Sequence, residues 1–211
     1  MTGSVVPAVI PASAADLVLL SQVIAEAFHP LPPSQWLIPD PVARREIFRG
    51  YFALLAGHAL AAGTVTTVPG RDAAALWLPP EAGDPDGYDE RLAAITGPWA
   101  ERFIAFDETL HRAHPAGVEH LAILGVQPGR QGQGTGSGLL RARHAQLDAA
   151  GTTVYLEAGS PRARQLYLRH GYADHGPPIR LPDGGPLMYP MVRRAKSHIS
   201  SELADRRADV T

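Results

Sequence analysis

Residues 125–140 read Gly-Val-Gln-Pro-Gly-Arg-Gln-Gly-Gln-Gly-Thr-Gly-Ser-Gly-Leu-Leu, which is the most distinctive run of the sequence. An apolar run precedes it, five glycines follow Pro128, and apolar residues at helix spacing begin at Leu139. This order predicts a strand, a glycine-rich turn and the start of a helix. Glycine lets a ligand approach the main chain closely, and the first N–H groups of a helix are unpaired, so the turn predicts a phosphate site. A tight connection between two packed elements is the simpler alternative.

Two familiar phosphate-binding loops fit this turn poorly. A Walker A loop needs a lysine that reaches the terminal phosphates, whereas the only lysine of the chain is Lys196. A dinucleotide fingerprint needs the spacing G-x-G-x-x-G, and neither Gly132 nor Gly134 begins such a series. Glu157 ends the next apolar strand, where a ribose-binding acid would lie, so a dinucleotide oxidoreductase stays open as a distant alternative.

Two motifs in the chain resemble those of the GNAT superfamily of N-acetyltransferases. The run Gln131-Gly-Gln-Gly-Thr-Gly136 is similar to the superfamily pattern Q/R-x-x-G-x-G/A. Residues 160–172 resemble its closing motif, in which a tyrosine, here Tyr167, stands four residues before a Gly-Phe or Gly-Tyr pair, here Gly171-Tyr172. Residues 73–80 are similar to the actinobacterial branch that includes puromycin N-acetyltransferase. The chain is therefore identified as a member of the GNAT superfamily that resembles this branch.

The resemblance implies an α/β (α+β) fold of the GNAT type, with a mixed central sheet of about seven strands, flanking helices and a splay at the central strand. At 211 residues, of which 45% are hydrophobic, the chain is long enough for one sizeable core. We expect a single acetyltransferase domain over residues 1–195, followed by a polar C-terminal tail over residues 196–211.

Hydrophobic spacing, caps and turn residues predict the order of the elements. We expect strands at 5–10, 63–68, 73–78, 119–126, 152–157, near 172 and at 187–192. We expect helices at 13–28, from 40 to about 57, on both sides of Gly97-Pro98 within 91–114, from 139 to 151 and at 161–170. Residues 29–39 contain four prolines and are expected to form an irregular loop that carries Trp36.

The composition excludes several classes of function. The chain has no cysteine, which rules out disulfides, thiolate metal ligands and transfer through an acetyl-cysteine, and we expect no metal. Its net charge of -2 provides no attraction to nucleic acid or to an anionic membrane. It has no apolar run long enough to span a bilayer, and its first residues do not resemble a signal peptide, so we expect a cytoplasmic protein. A homodimer is left open.

The resemblance implies acetyl-CoA as the cosubstrate. Its pyrophosphate would be held by the backbone amides of the glycine turn, namely Gln131, Gly132, Gln133, Gly134, Thr135 and Gly136. The hydroxyl of Ser137 would lie beside them, and Arg162 or Arg164 would reach a phosphate. The main chain of Leu124 and Val126 would pair with the pantetheine arm, and an N–H there would polarise the thioester carbonyl.

The resemblance also implies catalytic roles. Tyr167 occupies the place of the general acid that protonates the leaving sulfur. His120 occupies the central-strand position where relatives carry a glutamate base, and a histidine can accept a proton near neutral pH. Glu157 and Glu119 are alternative bases, and many relatives use no dedicated side chain. A structural role for His120 is equally open.

The acceptor site and the reaction follow from the same resemblance. Trp36 and Tyr51 would line a pocket for an apolar part of the acceptor, with Glu119 beside it, although core packing explains each aromatic residue equally well. We expect an N-acetyltransferase that moves the acetyl group of acetyl-CoA to a primary amine of a small molecule, such as an antibiotic or a metabolite, by direct attack in a ternary complex. The alternatives are a protein N-terminal or lysine acetyltransferase, and a sensor that binds acyl-CoA without catalysis.

Overall fold

The computed structural model of the chain describes residues 8–196. Its strands are β1 (Ile10–Pro11), β2 (Thr64–Thr67), β3 (Ala73–Leu78), β4 (Glu119–Val126), β5 (Val154–Ala158), β6 (Ala173–Asp174), β7 (Ile179–Arg180) and β8 (Leu187–Arg193). Its helices are α1 (Leu17–Phe28), α2 (Pro32–Leu37), α3 (Pro41–Ala62), α4 (Tyr88–Thr96), α5 (Ala100–His111), α6 (Thr135–Ala149) and α7 (Pro161–Arg169). Short 3₁₀ turns at Ala14–Asp16 and Gly97–Trp99 lead into α1 and α5.

The strands form an open mixed sheet. Its order is β1-β2-β3-β4-β5-β8-β6, and the two-residue β7 also pairs with β8. Neighbouring strands are antiparallel except β4 and β5, which are parallel. The predicted mixed sheet with flanking helices is confirmed, with eight strands instead of the expected seven.

The central strand β4 is splayed away from β5, as predicted. On one side β4 pairs with β3 along its whole length, from His120 opposite Leu78 to Val126 opposite Ala73. On the other side it pairs with β5 only at its first two residues, and the last pair is His120 with Tyr155. A register shift against β3 makes Ala122 an extra, bulged residue of β4. From the bulge onward, no strand within residues 8–196 borders β4 on its β5 side.

Helices cover both faces of the sheet, and β3 shows how the faces are divided. Its side chains alternate, so Leu76 joins the core under α1 and α3, whereas Trp77 joins the core under α6 and α7. The first core is rich in aromatic rings, including Phe48, Phe52 and Phe103.

The predicted starts of α1 and α3 are confirmed by their caps. Asp16 accepts hydrogen bonds from the Ser13 backbone N–H at 2.9 Å and from the Ser13 hydroxyl at 3.0 Å, just before α1. The Asp40 carboxylate accepts the N–H groups of Val42 and Ala43 at 2.7 and 3.0 Å, which satisfies two free donors of α3. The break at Gly97-Pro98 is also confirmed, since α4 ends at Thr96.

The prediction of an irregular loop over residues 29–39 is wrong in its middle, where α2 forms. Pro32 and Pro33 stand at the first positions of this helix. A backbone N–H there would have no partner within the helix, so proline, which lacks this group, is tolerated. Leu31 is extended and precedes them, and Ile38 N–H closes the helix on Ser34 O at 3.1 Å. The prolines therefore start a helix here instead of preventing one.

Other element boundaries also differ from the prediction. The edge strand lies at Ile10–Pro11 and includes the proline that was expected to end it, because Pro11 is at an edge where no N–H is needed. Helix α3 continues to Ala62, and the strand expected near Tyr172 is β6, at Ala173–Asp174. Strand β7 is too short to leave a pattern in the sequence. Residues 8 and 9 of the predicted edge strand are not in a strand, whereas its first part, residues 5–7, and the tail from 197 lie outside the described residues.

Among residues 8–196, no helix is both long enough and apolar enough to cross a bilayer.

Candidate active site

The glycine turn connects the end of β4 to the start of α6. Gly132 and Gly134 have φ of +78° and +88°, a conformation that favours glycine. The first intrahelical bond runs from Gly138 N–H to Gly134 O at 2.9 Å, so the three preceding N–H groups stay free at the helix start. A Cβ on Gly132 would meet no atom within 4 Å. The turn is therefore an open, donor-rich surface suited to an anion.

Ser137 lies in the first turn of α6 and joins it to α7. Its hydroxyl is 2.9 Å from Nε2 of His170, which follows the last residue of α7. Burial, followed by the charges of Arg141 and Arg169, lowers the pKa of His170. Ser137 therefore already has a partner, while positive charge surrounds this end of the turn.

Arg164 is engaged by a carboxylate. Its Nε donates to Asp174 Oδ1 at 2.7 Å, a second nitrogen donates to the other carboxylate oxygen, and its guanidinium lies 5.8 Å from the centre of the Tyr189 ring. The Arg164 side chain would have to leave Asp174 before it could bind a phosphate.

Leu124 and Val126 border the splay and lie directly under α6. A Cβ on Gly136 would meet Val126 Cγ2 at 3.6 Å and Leu124 Cδ2 at 3.9 Å, so the start of α6 packs closely on these residues. Their pairing partners in the sheet lie only on β3, at Ala75 and Ala73. The opposite edge of this part of β4 is available to an extended ligand.

His120 and Glu157, two of the alternative bases, form one hydrogen-bonded pair at the base of the splay. His120 Nε2 lies 3.1 Å from Glu157 Oε2, and the two side chains are 25% and 7% exposed. The pairing follows from the register, because His120 is opposite Tyr155 in a parallel pair and Glu157 stands two residues further on the same face. The splay opens from this pair toward the glycine turn.

Aromatic rings that were not predicted from the sequence surround the His120–Glu157 pair. The His114 ring lies 4.8 Å from the ring centres of both His120 and Tyr155, and His175 lies 6.1 Å from Tyr155. Burial, followed by the charge of His120, lowers the pKa of His114. Burial and the charge of Glu157 raise the pKa of Tyr155, whose buried hydroxyl has no hydrogen-bond partner among residues 8–196. The signal for Tyr155 was its position two residues before Glu157 in the same strand.

Glu119 lies on the other face of β4, away from His120. Arg143 of α6 donates to its carboxylate at 2.5 and 3.2 Å, and the Glu119 side chain is 5% exposed. Consecutive strand residues point to opposite faces, which separates Glu119 from His120. The structure thus brings His120 and Glu157 together and leaves Glu119 in a buried ion pair.

Tyr167 is buried among the side chains under α7. It is 8% exposed, and its ring lies 5.5 Å from that of Tyr172. Burial raises the pKa of Tyr167, so its hydroxyl stays protonated at physiological pH. The neighbouring Tyr172 hydroxyl lies 3.0 Å from His144 Nε2, and burial lowers the pKa of His144 to about 3.

Trp36 helps to cover the face of β5 that carries Glu157. Arg102 donates to the Trp36 carbonyl, and its guanidinium lies 5.6 Å from the centre of the Trp36 ring. A Cβ on Gly185, in the turn before β8, would lie 2.8 Å from Trp36 Nε1. Pro33, also in α2, lies 3.6 Å from the Cβ position of Gly159, and Gly159 follows Glu157 by two residues. Helix α2 and this turn therefore form a roof over that face.

Tyr51 lies deeper, in the core between α3 and α5. It is 6% exposed, and its ring lies 4.8 Å from that of Phe103. Beside it, the Tyr88 hydroxyl donates to Asp107 at 2.8 Å, and burial raises the pKa of Asp107 to about 6. Tyr51 therefore belongs to a packed cluster, whereas Trp36 stands at the roof.

The part of the chain that the structure describes contains no group of three or more His, Asp or Glu side chains arranged to hold a metal ion.

Residues 99–174 match the family model described as an acetyltransferase (GNAT) domain. No curated protein sequence matches the chain.

Solved structures match the fold over most of the chain. A Corynebacterium glutamicum protein described as histone acetyltransferase HPA2 and related acetyltransferase has 29% identity and a TM-score of 0.70, covering 92% of this chain and 99% of that chain. Arylalkylamine N-acetyltransferase 2 of Aedes aegypti has 12% identity and a TM-score of 0.57, covering 90% and 99%. A polyamine N-acetyltransferase of Drosophila melanogaster has 16% identity and a TM-score of 0.52, covering 89% and 99%. The chain has the GNAT fold, and the matched domain indicates an acetyltransferase.

Proposed function

We propose that this protein is an N-acetyltransferase that moves the acetyl group of acetyl-CoA to a primary amine of a small molecule. One observation carries the proposal: β4 and β5 separate directly beyond the hydrogen-bonded His120–Glu157 pair, and the glycine turn lies at the other end of the opening. An extended thioester in the opening would have its acetyl end beside a proton acceptor and its phosphate end beside free amides. This arrangement suits acyl transfer better than hydride transfer.

The residues of the opening suit acetyl-CoA, which supplies an activated acetyl thioester when bound. The free amides at the start of α6 and the turn residues Gln131, Gly132, Gln133, Gly134, Thr135 and Gly136 would hold the pyrophosphate. The unpaired edge of β4 at Leu124 and Val126 would bind the amides of the pantetheine arm, and one N–H there would polarise the thioester carbonyl. Ser137 is a weaker candidate because it already contacts His170, and so is Arg164 because it is held by Asp174.

His120 and Glu157 would act together as the base. With Nε2–H donating to Glu157, the free Nδ1 of neutral His120 can accept one proton from the acceptor ammonium, and the carboxylate then stabilises the imidazolium. The resulting neutral amine attacks the carbonyl carbon, so that an N–C bond forms and the carbonyl electron pair moves to oxygen. The nearly buried Glu157 fixes the orientation of the imidazole.

Tyr167 would act as the acid. When the carbonyl re-forms, the C–S bond breaks, and the leaving thiolate takes the proton of the Tyr167 hydroxyl. Because burial raises the pKa of Tyr167, this proton is retained until a strong base such as a thiolate develops beside it. The nitrogen loses its second proton to solvent as the C–S bond breaks, which leaves a neutral amide. Solvent then returns one proton to Tyr167 and removes one from His120, so each cycle releases one net proton.

The roof over Glu157 favours a small acceptor over a protein substrate. Trp36 lies against the turn at Gly185 and Pro33 against the end of β5, and this cover would favour a small amine beside Glu157 over a polypeptide. Trp36 would contact an apolar part of the acceptor, while the packed position of Tyr51 and the ion pair of Glu119 give them at most an indirect role. The similarity of residues 73–80 to the puromycin-type branch extends the proposal to an antibiotic-like amine.

The proposal also covers the domain bounds, the cellular location and the oligomeric state. One acetyltransferase domain would occupy residues 1–195, and the tail over residues 196–211 would lie outside it. The protein would work in the cytoplasm on a diffusible amine. A homodimer is left open. These statements rest on the sequence, on the match over residues 99–174 and on the single sheet that both cores share.

A thiol-release assay with acetyl-CoA tests the function. Purified protein is mixed with a panel of primary amines that includes puromycin, aminoglycosides, arylalkylamines and polyamines, together with a lysine-containing peptide. We expect release of CoA with at least one small amine and formation of the acetylated amine by mass spectrometry. Turnover of the peptide alone would favour the protein acetyltransferase alternative. Tight binding of acetyl-CoA without turnover of any amine would favour the sensor, and no binding of CoA at all would refute the proposal.

A further inference from the structure

A surface cleft of about 260 Å³ lies between α1 and α3, on the face of the sheet opposite α6. It is lined by Gln22, Ala25, Glu26, His29, Arg45, Arg49 and Pro128. Pro128 comes directly before the glycine turn, so the cleft and the turn lie at the same edge of the sheet. None of the roles proposed above uses the other residues of the cleft.

Two arginines give the cleft its charge. Arg45 and Arg49 stand one helical turn apart on α3, and both are exposed. Like charges at this spacing repel each other, so an anion bound between the two guanidinium groups would relieve the repulsion. Within residues 8–196 neither guanidinium forms an ion pair, whereas Arg71, Arg143 and Arg193 each have a carboxylate partner.

The opposite wall of the cleft, on α1, does not neutralise this pair. Glu26 is the only acid in the lining, and within residues 8–196 it forms no ion pair. His29 ends the wall, and its ring is held in place by a contact of 3.0 Å between Nε2 and Pro41 O. The cleft therefore has two guanidinium groups against one carboxylate, with its end fixed by a hydrogen bond.

A second cleft differs from the first because its arginine is paired with a carboxylate. It has a volume of about 320 Å³ and contains Arg164, but Asp174 in its own wall pairs with that arginine. Its charge is satisfied within the protein. The arginines of the first cleft have no such partner among the described residues.

We propose that the cleft between α1 and α3 is a binding site for a phosphomonoester. Two guanidinium groups one turn apart provide fork-shaped donors that match phosphate oxygens. A volume of about 260 Å³ is below that of most sites for drug-sized ligands, so it suits a phosphate with its attached sugar. The phosphate comes either from the 3′-phosphate of a bound CoA, whose pyrophosphate would lie at the adjacent turn, or from a separate phosphorylated metabolite. The first source rests on the proposed function, and the second does not.

Calorimetric titration with CoA and with 3′-dephospho-CoA distinguishes the two sources. It is done on the wild type, on Arg45→Gln/Arg49→Gln, and on Arg91→Gln/Arg112→Gln, a control that removes the same charge from two exposed arginines outside the cleft. A thermal-shift titration with inorganic phosphate, in phosphate-free buffer of low ionic strength, is done on the same three proteins. All four arginines are exposed, so we expect each variant to fold.

Two outcomes support the site. If the CoA 3′-phosphate binds there, the wild type and the control bind CoA about tenfold more tightly than 3′-dephospho-CoA, a difference of about 1.4 kcal/mol that disappears in Arg45→Gln/Arg49→Gln. If a separate metabolite binds there, the CoA affinities are equal in all three proteins, and inorganic phosphate raises the Tm of the wild type and the control more than that of the cleft variant, which keeps only the glycine turn as a phosphate site.

One outcome overturns the site: the cleft variant matches the control in both titrations. A wild type that binds no CoA would refute the proposed function instead, and the phosphate titration would still decide the cleft.

Discussion

The hydroxyls of Tyr167 and Tyr172 lie on neighbouring buried rings and are expected to have opposite roles. The Tyr172 hydroxyl lies 3.0 Å from His144 Nε2, and both residues are buried. For Tyr167, burial alone accounts for the raised pKa, and its hydroxyl has no hydrogen bond within residues 8–196. Substitution of either tyrosine with phenylalanine removes the hydroxyl and keeps the ring packing. The two variants therefore distinguish an effect on stability from an effect on catalysis.

These contacts determine the expected changes in the free energy of unfolding and in turnover. Tyr172→Phe leaves a buried imidazole nitrogen without its partner, which costs about 1–3 kcal/mol of the free energy of unfolding. For a chain of this size, that loss lowers Tm by about 2–12 °C. Tyr167→Phe breaks no hydrogen bond, so we expect a change below about 0.5 kcal/mol in stability. Loss of a general acid, in contrast, slows turnover by about 10²–10⁴-fold.

Differential scanning calorimetry and steady-state thiol release measure both effects. We expect Tyr167→Phe to keep its Tm and its KM for acetyl-CoA while kcat falls, and Tyr172→Phe to lose Tm while kcat stays within about threefold of the wild type. If Tyr167→Phe lowers Tm as much as Tyr172→Phe and turns over at the wild-type rate, Tyr167 is a packing residue and the acid role is wrong.

Three further changes test other parts of the structure. Gly132→Ala introduces a Cβ at a φ of +78°, so we expect a loss of about 1–2 kcal/mol in stability from backbone strain and a weaker affinity for CoA by calorimetry. Arg143→Met leaves the buried carboxylate of Glu119 unpaired, and we expect urea unfolding to show a loss of about 3–5 kcal/mol. Burial lowers the pKa of His144 from 6.5 to about 3, so below pH 6.5 the unfolded chain binds a proton that the folded protein excludes. The free energy of unfolding should therefore decrease as the pH falls from 6.5 toward 3, and His144→Gln should reduce this slope.

Each of these changes has a control or a contradicting result. Gly129→Ala carries similar strain at a φ of +85° but lies before the proposed phosphate-binding amides, so an equal loss of CoA affinity in both variants would contradict the role of Gly132. Arg71→Met breaks a more exposed ion pair and should cost less than about 1 kcal/mol. Equal costs for Arg71→Met and Arg143→Met would show that burial does not set the difference. A pH slope in His144→Gln identical to that of the wild type would exclude His144 as its source.

The centre of the fold was predictable because local signals and packing agree there. The bounds of β4 match the predicted strand, and the glycine turn gives way to α6 within a few residues of the expected position. An apolar strand, glycines that adopt positive φ and a helix start all depend on nearby residues. The splay followed only from the resemblance, since no single residue of β4 encodes its separation from β5.

Which residues share the site depends on the register between β4 and β5. The spacing of residues along the sequence does not give that register. His120 and Glu157 were separate candidates, and only the pairing of His120 with Tyr155 shows that they share a face. The separation of Glu119 from His120 could be predicted from the sequence, because neighbouring strand residues point to opposite faces. The contacts of His114 with Tyr155 and of Trp36 with Gly185 join distant parts of the chain, so no local pattern could reveal them.

Acetyl transfer in Glu157→Gln tests the central claim most directly. The glutamine keeps the size of the side chain and can still accept a hydrogen bond from His120, but it cannot stabilise an imidazolium by charge. At saturating acetyl-CoA and with an accepted amine, the account predicts that kcat falls by about 10²-fold or more while the affinity for CoA is unchanged. If Glu157→Gln acetylates the amine at the wild-type rate, the pair at the base of the splay is not the proton acceptor and the proposed mechanism is wrong.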